Sequence, residues 1–185
     1  MLDRENIRFN ALRNALYHTG RRRSFERLNR WFNFAVILVG AAGVSEIFGK
    51  VHGALGDNGP VIYGIMVAAI GAAQLAFDFG GNARDHQSLQ RDYYNLLADI
   101  EETVEPSEQQ LAAWNGRLTR IASDEPPIMR AIDAKAYNDA IDAMELDRGQ
   151  LLHLPIYHRV LGRFFSYDGF TFRKRIELPN YKPES

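Results

Sequence analysis

A chain of 185 residues has room for one small domain, or for a helical hairpin and one small domain. A formal net charge of −1 gives no global attraction to nucleic acid, and the lack of cysteine excludes disulfides, thiolate catalysis and cysteine-held metal. The charge is unevenly placed: residues 1–30 hold eight arginines against three carboxylates, +5, so the rest of the chain carries −6.

Residues 2–30 read as helix, with Ile7, Phe9, Leu12, Leu16, Phe25 and Leu28 forming a broken apolar stripe among arginines. Thr19-Gly20 is expected to interrupt it. Arg21, Arg22, Arg23, Arg27 and Arg30 then fall where lipid headgroups or another anionic ligand would meet them.

Two apolar runs follow, Trp31–Phe48 and Pro60–Phe79. A hydrocarbon core of about 30 Å takes roughly 20 helical residues to cross, so the spacing predicts transmembrane helices over 31–49 and 60–80. Gly53, Gly56, Asp57, Asn58 and Gly59 favour a tight reversal between them. A buried soluble hairpin is the rival reading, because Ser45 and Glu46 shorten the first run. The second run argues against it: a soluble helix of that length should have one wet face, and Val61 to Phe77 has almost none. About 30 residues precede the first run, which disfavours a secretory signal. Arginines flank the inner ends and a single lysine, Lys50, occupies the intervening loop, so both termini are expected in the cytoplasm of a multi-pass inner-membrane protein.

Gly64, Ala68, Ala72, Ala76 and Gly80 recur at every fourth position of the second run, a spacing that lets helix backbones approach closely. Packing within one hairpin and packing between subunits both remain open. Gln74 and Asp78 lie one turn apart, and a ring of them from several copies would make a cation-favouring inner mouth; snorkelling of Asp78 to water is its ordinary alternative.

Gly80-Gly81-Asn82 marks the expected inner boundary. Helices are predicted over 83–103, with Leu89, Tyr93, Leu96, Leu97 and Ile100 in register, then 107–122 and 128–146, separated by the helix-breaking Glu125-Pro126-Pro127. Pieces this short are not stable alone and should pack together as a cytoplasmic bundle. The segment 150–185 is a basic, aromatic tail, suited to the membrane interface or to docking on the bundle, and Phe170–Phe172 with Ile176–Leu178 suggests a short β-ribbon. The fold class is therefore an all-α membrane protein: a two-helix transmembrane hairpin, a cytoplasmic helical bundle within 1–149, and a short tail.

Catalytic signatures are lacking. Gly43 to Lys50 departs from a phosphate loop by one residue and lacks the following Ser or Thr. The five histidines are scattered without metal-ligand spacing, and Asp85-His86 beside Arg84 reads as a solvated face. No catalytic residue, cofactor or metal ligand is assigned, and the chain is not expected to be an enzyme.

Several soft motifs nonetheless recur together: Tyr17-His-Thr-Gly-Arg-Arg-Arg, Phe25-Glu-Arg-Leu-Asn-Arg, the close hairpin, Arg91-Asp-Tyr-Tyr-Asn-Leu-Leu-Ala-Asp-Ile-Glu, Glu125-Pro-Pro-Ile and Ala136-Tyr-Asn-Asp. Over residues 5–150 the chain resembles the SLATT domains (SMODS and SLOG-associating two-transmembrane effector domains) of bacterial conflict systems. The resemblance implies a pore-forming, homo-oligomeric effector of antiviral defence that breaches the inner membrane. It also implies a separately encoded nucleotide synthetase or nucleotide sensor as partner, with the lipid bilayer as the other and no nucleic acid. A membrane-tethered scaffold that conducts nothing is the alternative.

Overall fold

The computed structural model describes residues 3–43 and 58–179. The expected reversal, the end of the first apolar run and its Ser45 and Glu46 lie outside the described residues. Among those described the fold is all-helical, without a strand. The order is α1 (Arg4–Gly43), α2 (Gly59–Phe77), α3 (Phe79–Glu102), α4 (Glu108–Ser123), α5 (Arg130–Ala143), a 3₁₀ turn Arg148–Gln150, α6 (Ile156–Leu161) and a 3₁₀ turn Arg175–Glu177. Two compact units emerge: Met1–Arg22 with Asp85–Ser185, and Arg23–Arg84. The tail after residue 150 thus belongs to the same unit as α4 and α5.

In the first unit, α1, α3 and α4 share a core of Ile7, Ala11, Ala15, Leu89, Tyr93, Leu96, Leu97, Ile100, Trp114 and Ile121. The α3 residues recur at three- and four-residue intervals, so one face of that helix is buried. On α1, Ile7 is joined by two small contact positions, Ala11 and Ala15, which admit a close neighbour and which a search for large apolar residues passes over. α4 starts at a capping box: the Gln110 N–H donates to Ser107 Oγ at 3.2 Å and the Ser107 N–H to Gln110 Oε1 at 2.9 Å. α5 presents an alanine face, Ala131, Ala134, Ala136 and Ala140, with Ile141. Arg13 forms a bidentate pair with Asp133 of α5, and Phe9 meets Tyr137 edge-on at 5.2 Å.

The expected β-ribbon is not formed. Leu152 instead bridges Lys174, and residues 175–177 wind into a 3₁₀ turn. The Asn138 side chain brackets Leu152, donating to its carbonyl at 2.9 Å and accepting from its N–H at 2.7 Å, which fixes the tail to α5. α6 leaves Ile156, Tyr157 and Val160 exposed.

Two further expectations are corrected by local chemistry. α1 runs unbroken through Thr19-Gly20: the Thr19 hydroxyl donates to Ala15 O at 2.8 Å, and a Cβ at Gly20 would meet only Ile132 Cγ2, at 3.7 Å. The break expected at Gly80-Gly81-Asn82 falls instead at Asp78, which adopts φ 34°, ψ 56°. Asp is among the few residues that tolerate this left-handed region. Its carboxylate accepts from the Gly81 N–H at 2.9 Å, while the Asn82 side-chain amide donates to Phe77 O at 2.8 Å and to Asp78 O at 3.0 Å. Backbone groups at the end of α2 and the start of α3 are thereby paired. A Cβ at Gly81 would overlap that carboxylate.

The two glycines should therefore respond in opposite directions. Gly20→Ala is expected to stabilise by up to about 1 kcal/mol, the usual helix-interior gain. Gly81→Ala should cost at least the roughly 1 kcal/mol of a lost cap. Thermal midpoints of the detergent-solubilised chain check both, and in a background of Asp78→Ala the Gly81→Ala penalty should shrink.

Candidate functional site

The unit Arg23–Arg84 carries the apolar helices. The helical path that begins at Gly59 contains one stretch long and apolar enough to cross a bilayer, and none of that stretch is buried. Pro60 opens it in the first turn, where a missing N–H costs nothing. Val61, Ile65, Leu75 and Phe77 are exposed, Leu75 to 86%. Trp31, Phe34, Ile37 and Leu38 of α1 are exposed as well. Within the unit, α1 and α2 meet through polar groups: the Tyr63 hydroxyl donates to Val39 O at 2.8 Å, and the Gln74 amide donates to Asn33 Oδ1 at 2.8 Å.

The small-residue stripe points elsewhere. Gly64, Ala68, Ala72 and Ala76 are exposed, Gly80 is half-buried beside Arg84 and Asn29, and a Cβ at Gly64 would touch nothing within 4 Å. Gln74 and Asp78 both have partners inside the chain, Gln74 on Asn33 and Asp78 capping α3. Of the five arginines, Arg23, Arg27 and Arg30 are exposed, whereas Arg21 and Arg22 are half-buried in the other unit. Burial pulls the Arg21 guanidinium below its ordinary value.

That other unit contains a site which spacing did not reveal. His18 of α1 is fully buried, and its Nδ1 lies 2.8 Å from Nδ1 of His86 on α3, itself 2% exposed. His18 Nε2 lies 3.1 Å from Glu125 Oε1, and the Tyr93 hydroxyl donates to the same oxygen by a short bond. The Tyr93 ring stacks on His18, with centroids 5.7 Å apart and planes 13° from parallel. Tyr17 completes the wall, its ring edge-on to His18 and its hydroxyl accepting from the Met129 N–H at 3.0 Å. Thus α1, α3 and the α4–α5 connection converge on one carboxylate. Pro126 and Pro127 make this possible, because they keep the connection extended just after Glu125.

The electrostatics follow from that enclosure. Burial, with the neighbouring charges of His18 and Arg21, pushes His86 from 6.5 to about 3. Burial alone would raise Glu125, but the hydrogen bonds from His18 and Tyr93 outweigh it and hold the carboxyl below its usual range. Burial, and then the Glu125 carboxylate it donates to, push the Tyr93 phenol up. With Glu125 ionised, His18 Nε2 donates to it, and the Nδ1–Nδ1 contact takes one proton between two nitrogens. The solvated face expected at Asp85-His86 is corrected: Asp85 is exposed, but His86 points inward. The cluster is a latch between three segments: His18, His86 and Tyr93 are buried, and Glu125 is partly buried with its side chain 10% exposed. Among the described residues no three metal-ligating side chains converge.

The signal for this latch was present in the sequence, in pieces. Tyr17-His18, Asp85-His86, Tyr93-Tyr94 and Glu125-Pro126-Pro127 lie up to 108 positions apart along the chain, as Tyr17 to Glu125, and only the tertiary fold joins them. No family model, curated protein or solved structure matches the chain.

Proposed function

We propose that this chain is a homo-oligomeric effector of the bacterial inner membrane, with two spans, both ends in the cytoplasm, and a cytoplasmic helical bundle that switches it. A separately encoded nucleotide synthetase or sensor supplies the trigger, and the opened assembly breaches the membrane in an antiviral response. The observation that carries the reading is the apolar stretch within the helical path that begins at Gly59, which is long enough to cross a bilayer and has none of its residues buried. The exposed row Gly64, Ala68, Ala72 and Ala76 supports close packing with another copy, and two helices cannot enclose a conduit by themselves. The resemblance to SLATT domains supports the trigger and the outcome. A signal would act by binding open and closed assemblies with different affinity.

The scaffold reading has one specific observation in its favour. Gln74 and Asp78 are each engaged within the chain, so neither needs a lumen to satisfy it. Purified protein in liposomes separates the two. Dye leakage on adding cyclic di- or oligonucleotides, reduced by Asp78→Asn, supports the effector. Tight vesicles under every such nucleotide support the scaffold. Recovery of the protein in the supernatant of a detergent-free lysate after ultracentrifugation overturns both.

A further inference from the structure

Three exposed arginines continue into an exposed apolar stripe along a single face of α1. Arg23, Arg27, Arg30, Trp31, Phe34 and Ile37 stand at positions i, i+4, i+7, i+8, i+11 and i+14, which is one side of a helix. All six are exposed, Trp31 to 68%. Arg27, Arg30, Trp31 and Phe34 line an open depression of about 450 Å³. Among the described residues neither Arg27 nor Arg30 has a carboxylate partner, whereas Arg8 and Arg13 are paired with Glu101 and Asp133. The stripe is sorted by polarity: guanidinium first, then indole, then phenyl and aliphatic. From Arg27 to Ile37 the helix rises about 15 Å, enough to pass from the phosphates through a headgroup zone of roughly 5–8 Å and into the acyl chains.

We infer that this depression is a binding site for the phosphate of an anionic phospholipid, held by Arg27 and Arg30, with Trp31 at the carbonyl level and the first acyl methylenes along Phe34. Guanidinium matches phosphate through paired N–H donors, and an indole prefers the interface because one edge is polar and the rest is not. A soluble phosphate would satisfy the arginines but would leave Phe34 and Ile37 in water, so charge and apolar area together select the lipid. Arg23 sits one turn above and extends the cationic rim. The site rests on the membrane reading above and adds to it a choice of headgroup.

The test uses Trp31 as reporter. The chain has two tryptophans, and Trp114 lies buried in the other unit, so Trp114→Phe leaves Trp31 as the only indole. The protein is reconstituted with phosphatidylglycerol or phosphatidylcholine brominated near the top of the acyl chain. Brominated phosphatidylglycerol should quench Trp31 preferentially, with an apparent affinity about fivefold higher per arginine engaged. R27Q/R30Q should equalise the two lipids. Equal quenching of the unsubstituted site by both lipids overturns the headgroup site while leaving the membrane reading intact. No quenching by either overturns the membrane reading. Loss of the preference on adding excess inorganic phosphate at constant ionic strength assigns the arginines to a soluble anion and overturns the lipid site. If Trp114→Phe does not fold, phospholipid counted by mass spectrometry on the detergent-purified chain, with and without R27Q/R30Q, decides the same question.

Discussion

Glu125→Ala should be among the most damaging single substitutions in this chain, lowering stability by about 3–5 kcal/mol. One oxygen of Glu125 serves both His18 Nε2 and the Tyr93 hydroxyl, and the two donor residues are fully buried. Removing the carboxylate strands both donors, and each unmade buried bond costs about 1–3 kcal/mol. For a chain of this size that is a fall in thermal midpoint on the order of 10 °C. Glu125→Gln keeps one acceptor oxygen and should lose only about 1–2 kcal/mol. Glu101→Ala supplies the contrast. Glu101 is exposed and its partner Arg8 half-exposed, and a surface ion pair contributes no more than about 1 kcal/mol. Equal midpoints for Glu125→Ala and Glu101→Ala would mean that the latch contributes nothing.

Acid should unlatch the same site. His86 titrates near 6.5 when unfolded but is held at about 3 in the fold, so between these values the unfolded chain takes up a proton that the folded chain refuses. Stability is therefore complete above pH 6.5 and falls as pH drops toward 3, with a slope of up to about 1.4 kcal/mol per pH unit from this one group. Glu125 adds in the same direction. Its folded value lies below 4.5, so its contribution is present above 4.5 and disappears below it. Thermal midpoints taken from pH 7.5 to 5 should decline in the wild type, and His86→Asn should flatten the decline even if its midpoint at neutral pH is lower. Parallel curves for the two proteins would place the acid sensitivity elsewhere.

What the sequence disclosed and what it withheld divide along physical lines. The apolar stretch of α2 was legible as an unbroken apolar run, and the stripe Leu89, Tyr93, Leu96, Leu97 and Ile100 as a three- and four-residue period, because both patterns are complete within a short window. The helix start at Ser107 was legible because a cap is a local event. The break at Asp78 was misplaced by a few residues because two glycines outrank one aspartate in any local propensity, yet the left-handed residue is the aspartate and the glycine at 81 is there to receive its carboxylate. The His18–His86–Glu125–Tyr93 latch was not legible at all. Its members carry no spacing rule, and each alone is an ordinary polar residue on a helix or in a loop. On α1 two of the three core positions, Ala11 and Ala15, were alanines, which register as weak signals although they mark where helices come closest.

The bracket that Asn138 places on Leu152 has a practical consequence. One carboxamide holds both backbone polar groups of a single residue, as a neighbouring strand would, so the last 30 or so residues are clipped to α5 at a defined point. Gly162 meets Ala131 so closely that no side chain fits there. A chain cut after Gln150 would therefore lose more than an appendage: it would uncover Ala131 and strand the Asn138 carboxamide of α5, leaving a protein whose misbehaviour is easily mistaken for a loss of signalling.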